Sequence, residues 1–186
     1  PGRGELGGEG QPPSPASGRG VGGEGALKVF KPRYRLPGLV WLAQRMADFA
    51  DLPGLRVCRR TVLTPQRHAD LLRQHPDLTY AVLMPWIEGP TWMQVMAERR
   101  PLTPETSLAL ASTLTDILLG LEQQALAHCD LSAPNILLPG LLADEPIGAD
   151  GIELVDVEDM YGSDLRRPQV VLGSSYTYQH KLAPEG

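Results

Sequence analysis

Positions 128 to 135 form the most informative segment of the chain and read His128-Cys129-Asp130-Leu131-Ser132-Ala133-Pro134-Asn135. This segment follows a helical pattern and precedes a short apolar run at 136–138. A second apolar run at 152–155 is followed by another aspartate, Asp156. We predict that the two runs pair as a hairpin, which would bring the polar side chains at their ends together.

These side chains suit a metal-bound nucleotide. Mg²⁺ prefers oxygen ligands and usually binds through one or two carboxylates together with substrate phosphates. Asn135 and Asp156 are therefore the candidate metal ligands, and Asp130 remains available to orient or deprotonate an attacking hydroxyl. We interpret His128 as a structural residue beneath the site. Cys129 is not interpreted as a nucleophile, because the neighbouring Asp130 disfavours a thiolate.

The segment resembles the catalytic loop H-R-D-L-x-x-x-N of the protein-kinase-like superfamily. Asp156-Val157-Glu158 is similar to the D-F-G motif by position, and residues 173–185 resemble an activation segment ending in A-P-E. The resemblance covers roughly residues 27–186. It implies an α+β, bilobal fold with a small antiparallel-sheet N-lobe and a mainly helical C-lobe, and it implies ATP and Mg²⁺ as cofactors.

The resemblance also implies a role for each matching residue. Asp130 would be the catalytic base, and Asn135 and Asp156 would hold the metal. Lys28 would hold the nucleotide phosphates. Glycines at the start of the chain match G-x-G-x-x-G and are candidates for phosphate binding, namely Gly20, Gly22 and Gly25.

The adenine-binding hinge is expected after the run at 80–84. Met84 falls at the gatekeeper position, and Pro85-Trp86-Ile87 would be the hinge. Pro85 lacks a backbone N–H, which costs little where only a carbonyl is needed. Ile87 would supply the hydrogen-bond donor.

The part of the chain before residue 88 departs from the kinase pattern at two points. Lys28 follows Gly25 by three residues, which leaves no room for the second strand of the usual nucleotide-covering hairpin. No glutamate occurs between Glu24 and Glu88, so the helix glutamate that normally pairs with the strand lysine is missing. We expect Gln44 or Asp48 to take its place.

The order of elements divides the chain into three parts. Residues 1–25 are rich in Gly and Pro and are predicted to be disordered. Residues 26–85 form a partial N-lobe with strands at 26–30, 55–63 and 80–84 and a helix at 39–49. We expect residues 86–186 to form a partial C-lobe ending at the activation segment, with one helix at 91–99 and a second that begins at Pro104 with Thr103 as its N-cap. The second helix has an apolar stripe, expected to be core, at Leu108, Ala111, Leu114, Ile117, Leu118 and Leu121. We expect both lobes to be incomplete.

Charge and composition limit the classes of partner that the chain is expected to bind. The net charge is −5 and there is no basic run, which argues against nucleic acid as the main partner. Two cysteines give neither a disulfide framework nor a metal cluster. No apolar stretch reaches the length of a membrane span. We expect a cytoplasmic protein that binds ATP and a protein substrate.

Three functions are compatible with these motifs. A protein kinase acting on Ser or Thr hydroxyls is favoured by the segment from Tyr176 to Glu185. A small-molecule phosphotransferase of the aminoglycoside or choline kinase type shares a loop of the form H-G-D-L-x-x-x-N. A non-catalytic pseudokinase acting as an interaction module is favoured by the missing hairpin and helix glutamate.

Overall fold

The computed structural model describes residues 25–142, 147–162 and 165. Within them the chain is mixed α/β, with small antiparallel sheets and several helices. The predicted disordered segment, apart from Gly25, and the segment from Tyr176 to Glu185 lie outside the described residues. Among the helices that are described, none combines the length and the apolar character needed to cross a membrane.

A three-stranded antiparallel sheet forms the first part of the fold. Its strands are β1 (Gly25–Lys28), β2 (Thr61–Val62) and β3 (Val82–Pro85), in the order β1-β3-β2. Lys28 lies opposite Val82 in this sheet. The predicted strands at 26–30 and 80–84 are thus confirmed.

Helix α1 (Gly38–Ala47) packs against the sheet and confirms the predicted helix at 39–49. Its buried Ala43 contacts a small core that includes Val62 and Val82. A short helix, α2 (Ala69–Gln74), lies between β2 and β3 in a segment whose sequence showed no clear period.

The predicted strand at 55–63 is wrong over most of its length. Arg56–Cys58 form a 3₁₀ turn, and the strand is confined to Thr61–Val62. Leu55, Val57 and Cys58 are all buried in the main core. An extended strand points successive side chains to opposite faces, so it could not bury both Val57 and Cys58 on one side.

Two helices follow the sheet. Helix α3 (Trp92–Ala97) begins at a capping box in which Thr91 accepts a hydrogen bond from the Gln94 backbone N–H and the Gln94 side chain accepts one in return. Helix α4 (Pro104–Gln123) begins at the predicted Thr103 cap, whose hydroxyl accepts from the Thr106 N–H at 3.1 Å.

The buried face of α4 differs from the predicted stripe. Ile117 and Leu121 are buried as expected, but Leu108 is 73% exposed and Leu110 is buried in its place. Leucine occurs on both faces at the start of this helix. Sequence periodicity therefore did not separate the buried face from the exposed one.

Two short hairpin-like pairs complete the described fold. Strands β5 (Ile136–Leu137) and β6 (Glu153–Leu154) pair antiparallel, which confirms the predicted hairpin. Strands β4 (Leu126–Ala127) and β7 (Tyr161–Gly162) pair in the same way. Along the chain, β4 and β5 flank the loop at 128–135, and β6 and β7 flank the turn at 155–160.

Candidate active site

The loop at 128–135 is held by its own asparagine. The Asn135 amide nitrogen donates to the Asp130 carboxylate at 2.9 Å and to the Asp130 carbonyl at 3.0 Å. Both acceptors are oxygens without hydrogens, so the amide group must present its NH₂ to Asp130. Its carbonyl oxygen accepts no hydrogen bond from the residues that the structure describes, and it is the atom a metal ion would use.

His128 anchors this loop from below. Its Nε2 lies 3.0 Å from the Val155 carbonyl oxygen, which can only accept, so Nε2 carries the proton. Burial lowers the pKa of His128, although the Val155 carbonyl opposes the shift, and the ring is neutral near pH 7. Nδ1 has no hydrogen-bond partner among the described residues. The geometry agrees with a structural residue that ties the loop to the strand end carrying Asp156.

Asp156 reaches the loop because β6 runs beside β5. The Val155 backbone N–H donates to the Asn135 carbonyl at 3.0 Å, so the two strand ends are joined directly before Asp156. Asp156 has φ 60° and ψ 49°, a left-handed conformation that Asp adopts more readily than most residues. Cys129, directly before Asp130, also has a positive φ of 63°. The residue before Asp130 is therefore left-handed, and Asp156 is left-handed itself.

Lys28 closes the site from the opposite side. Its ammonium group forms an ion pair with the Asp156 carboxylate, 128 positions along the chain. It also donates to the Glu158 carboxylate at 2.8 Å. The structure therefore brings together Lys28, Asp130, Asn135 and Asp156, the four residues to which the sequence assigned catalysis or metal binding.

The expected partner of Lys28 is different from the one observed. Gln44 and Asp48 are both exposed, and neither is bonded to Lys28 in the described part of the chain. Glu158 fills the position instead, and its other carboxylate oxygen accepts from Arg60 at 2.8 Å. Sequence reasoning missed the pairing of Glu158 with Lys28 and Arg60, because these residues lie 130 and 98 positions away from it in the chain. The only available signal was an acidic residue in place of the glycine of D-F-G.

The charges at this site compensate one another. Burial opposes ionisation of Glu158, but the cations of Arg60 and Lys28 outweigh it and lower the pKa of that carboxyl to about 2. Burial would lower the pKa of Lys28, but Glu158 and Asp156 outweigh it and raise the pKa. For Asp156 burial dominates and raises the pKa, although Lys28 opposes the rise. Glu158 is thus the firmly ionised partner of a firmly charged lysine.

A cleft of about 550 Å³ opens beside these groups. Its wall combines residues of the sheet, the chain after β3, the loop at 128–135 and the turn after β6. The predicted site residues that line it are Lys28, Met84, Pro85, Ile87, Asn135 and Asp156. Asp130 is attached to this wall through its hydrogen bond from Asn135.

The predicted hinge has an unused donor. Ile87 is buried, and its backbone N–H makes no hydrogen bond with any described residue. Pro85 ends β3 opposite Gly25 and has no N–H to satisfy. A buried backbone donor normally has a partner, so the Ile87 N–H is suited to a ligand in the cleft.

The structure describes one of the three glycines predicted to bind phosphate, Gly25. Gly20 and Gly22 lie outside the described residues. Gly25 is the first residue of strand β1, and a Cβ built on it would lie 3.1 Å from the Leu83 side chain. Gly25 therefore belongs to the sheet, and the phosphate-binding role of these three glycines stays a prediction.

The donor set fits a magnesium ion carried by a nucleotide better than a resident metal. Asn135 and Asp156 offer oxygen donors at adjoining strand ends, the type that Mg²⁺ prefers. No group of three or more His, Cys, Asp or Glu side chains within residues 25–142 and 147–162 is placed to hold a metal by itself. The remaining ligands would have to come from phosphates and water.

Comparison with known proteins finds a partial similarity to a protein kinase. The chain is similar to a serine/threonine-protein kinase, PkaA of Streptomyces coelicolor, with 29% identity over 102 residues. The match covers 52% of this chain and 19% of that kinase, so the chain spans about a fifth of the relative's length. No protein-family model matches the chain.

Proposed function

We propose that the chain carries the catalytic site of a bilobal protein kinase that transfers the γ-phosphoryl group of ATP to Ser or Thr hydroxyls with Mg²⁺. One observation carries the proposal. Lys28, Asn135 and Asp156 come from separate parts of the chain and line one cleft, and Asn135 binds Asp130. The similarity to a serine/threonine-protein kinase supports the same class.

Each residue has a role that its geometry suits. The Ile87 N–H would bind the adenine edge, and Lys28 would hold the phosphates. Asn135 and Asp156 would hold Mg²⁺, which neutralises charge on the phosphates when it is bound. Asp130, oriented by the Asn135 amide, would accept the proton of the attacking hydroxyl. The work of the protein is then mainly positioning and charge stabilisation.

Supply of ATP and Mg²⁺ is consistent with a cytoplasmic reaction, which we include in the proposal. The protein substrate is inferred from the resemblance of residues 173–185 to an activation segment. These residues lie outside the described part of the chain, so the substrate class depends on sequence alone.

A small-molecule phosphotransferase is the second candidate, and one observation favours it. Cys129 adopts φ 63°, a conformation that glycine adopts without strain. The aminoglycoside and choline kinases resembled in sequence have glycine at this position of their H-G-D-L loop. The backbone of the loop therefore has a conformation that suits this glycine.

A labelled-phosphate assay tests the proposal. The chain is incubated with radiolabelled ATP, Mg²⁺ and either a mixed protein substrate or a panel of aminoglycosides and choline. We expect transfer to protein, a loss of at least about 100-fold in Asp130→Asn and Asp156→Asn, and retained ATP binding in Asp130→Asn. Asp116→Asn, on the exposed face of α4, is the control.

The outcomes separate the candidates. Transfer to a small molecule alone would favour the second candidate. A folded chain that binds no Mg²⁺-ATP and transfers no phosphate would contradict both and favour the pseudokinase. Transfer that persists in Asp156→Asn would remove Asp156 from the site.

A further inference from the structure

Lys28 requires a fixed anion if it is to hold phosphates in one place. Its side chain is long and flexible, and an unpaired ammonium samples many rotamers. Helix α1 contains no acidic residue, and the helix glutamate expected from the kinase pattern is absent. The anion that Lys28 contacts besides Asp156 is Glu158, on the 3₁₀ turn Val157–Asp159.

Glu158 is itself held from behind. One carboxylate oxygen accepts from Lys28 at 2.8 Å and the other accepts from the Arg60 guanidinium at 2.8 Å. The Arg60 side chain is only 2% exposed, and its Nε donates to the Val57 carbonyl at 3.0 Å. A planar guanidinium fixed to the backbone holds its carboxylate in a defined direction.

This arrangement assigns different tasks to the two acidic residues. Asp156 is half-exposed and faces the cleft, so its carboxylate is accessible to a metal-bound nucleotide. Glu158 is largely buried, and both of its oxygens are already bound to cations. When a nucleotide takes Asp156 away from Lys28, Glu158 is the contact that remains.

We propose that Glu158, held by Arg60, is the positioning residue that orients Lys28 toward the nucleotide phosphates. The inference rests on the proposed phosphotransfer function. Because the partner of Lys28 lies two positions after Asp156, alignment of the lysine depends on the turn that carries the metal ligand and does not depend on movement of α1.

Steady-state phosphate transfer tests this role with Glu158→Gln, Glu158→Asp and Arg60→Met. We expect Glu158→Gln and Arg60→Met to lower kcat about 10- to 100-fold, since a small misplacement of a positioned group has effects of this size. Glu158→Asp keeps the charge and should recover part of the loss. The Mg²⁺ concentration for half-maximal rate should stay within about twofold of the wild-type value.

Asp159→Asn is the matched control, because it removes the neighbouring charge and Asp159 makes no hydrogen bond to Lys28 among the described residues. Its kcat should stay within about twofold of wild type. Glu158→Gln leaves Arg60 buried without its anion, so a Glu158→Met/Arg60→Met variant that removes both charges is measured as well. Circular dichroism reports whether each variant is folded.

The possible results distinguish a failure of this inference from a failure of the proposed function. A folded wild-type chain without transfer activity overturns the proposed function, and the inference with it. An active wild type whose folded Glu158→Gln or Glu158→Met/Arg60→Met variant keeps its kcat overturns the inference alone. A shift of more than about tenfold in the half-maximal Mg²⁺ concentration would make Glu158 a metal ligand, which also overturns it.

Discussion

Arg56 should be needed for stability because it is the counter-ion of a buried carboxylate, that of Glu153. The Glu153 side chain is fully buried at the start of β6, and its carboxylate accepts from the Arg56 Nε at 2.5 Å and from the Arg56 backbone N–H at 3.1 Å. Replacing Arg56 by Met would leave a buried carboxylate with only the backbone donor. We therefore expect Arg56→Met to destabilise the chain.

The magnitude follows from the burial of the two partners. Removing one partner of a fully buried pair typically costs 3–5 kcal/mol. The Arg56 side chain is 44% exposed, so water already screens part of the interaction. We expect a loss of about 2 to 3 kcal/mol for Arg56→Met. Arg56→Met/Glu153→Leu removes both charges and should lie within about 1 kcal/mol of the wild type, because such pairs are often replaceable by apolar groups.

Lowering the pH should reduce the effect. Burial raises the pKa of Glu153 above its ordinary value, although Arg56 opposes the rise. A carboxyl with a raised folded pKa destabilises the fold when ionised, and this penalty disappears as the pH falls through the folded pKa toward the ordinary value of 4.5. Arg56→Met raises the folded pKa further, so its deficit relative to wild type should shrink as the pH falls from 7 toward 4.5.

Urea unfolding followed by circular dichroism measures these free energies at pH 7 and at pH 5. The double-mutant cycle gives the coupling between Arg56 and Glu153. A loss below about 0.5 kcal/mol for Arg56→Met would contradict the role of Arg56 as the counter-ion of Glu153. Additive losses in the double variant, or a deficit that grows on acidification, would contradict this role equally.

Two further predictions concern the cysteines. Cys129→Gly should raise the free energy of unfolding by about 0.5 to 1 kcal/mol, because the relief of left-handed strain at φ 63° outweighs the larger entropy that glycine loses on folding. Cys129→Val should lower the free energy of unfolding, because valine is β-branched. Thermal melts would rank the two variants, and the reverse order would contradict the strain argument. Burial raises the pKa of Cys58 to about 12, and the Cys58 side chain has no access to solvent. A thiol reagent at pH 8 should therefore label only Cys129 in the native chain and both cysteines in denaturant. Rapid labelling of two thiols in the native chain would contradict the described core.

Local chemistry accounts for what the sequence predicted well. The Thr103 cap, the hairpin of β5 and β6 and the convergence of Asn135 with Asp156 all depend on residues close to one another in the chain or on motif order. The Arg60 and Glu158 pair and the 3₁₀ turn at Arg56–Cys58 depend on long-range packing. A single sequence has no local signal for such contacts. The residues at 55–63 therefore predict a strand from their local pattern, although packing makes most of them a turn.

The face of α4 illustrates a different limit. Leu108 and Leu110 lie on different sides of the helix, and both are equally apolar. The hydrophobic period shows that the helix has a buried side, but composition does not identify which side when leucine occurs on both. Packing against the remaining elements determines the answer.

The distance along the chain between Lys28 and Asp156 also constrains the folding pathway. β3 is the central strand of the sheet, so β1 acquires its partner only after residues 82–85 have been synthesised, and Lys28 acquires its counter-ions later still. Contacts of this range form slowly, because a long loop must close first. Until then β1 is an unpaired segment bearing Leu27 beside Lys28, a candidate for chaperone binding or aggregation on the ribosome.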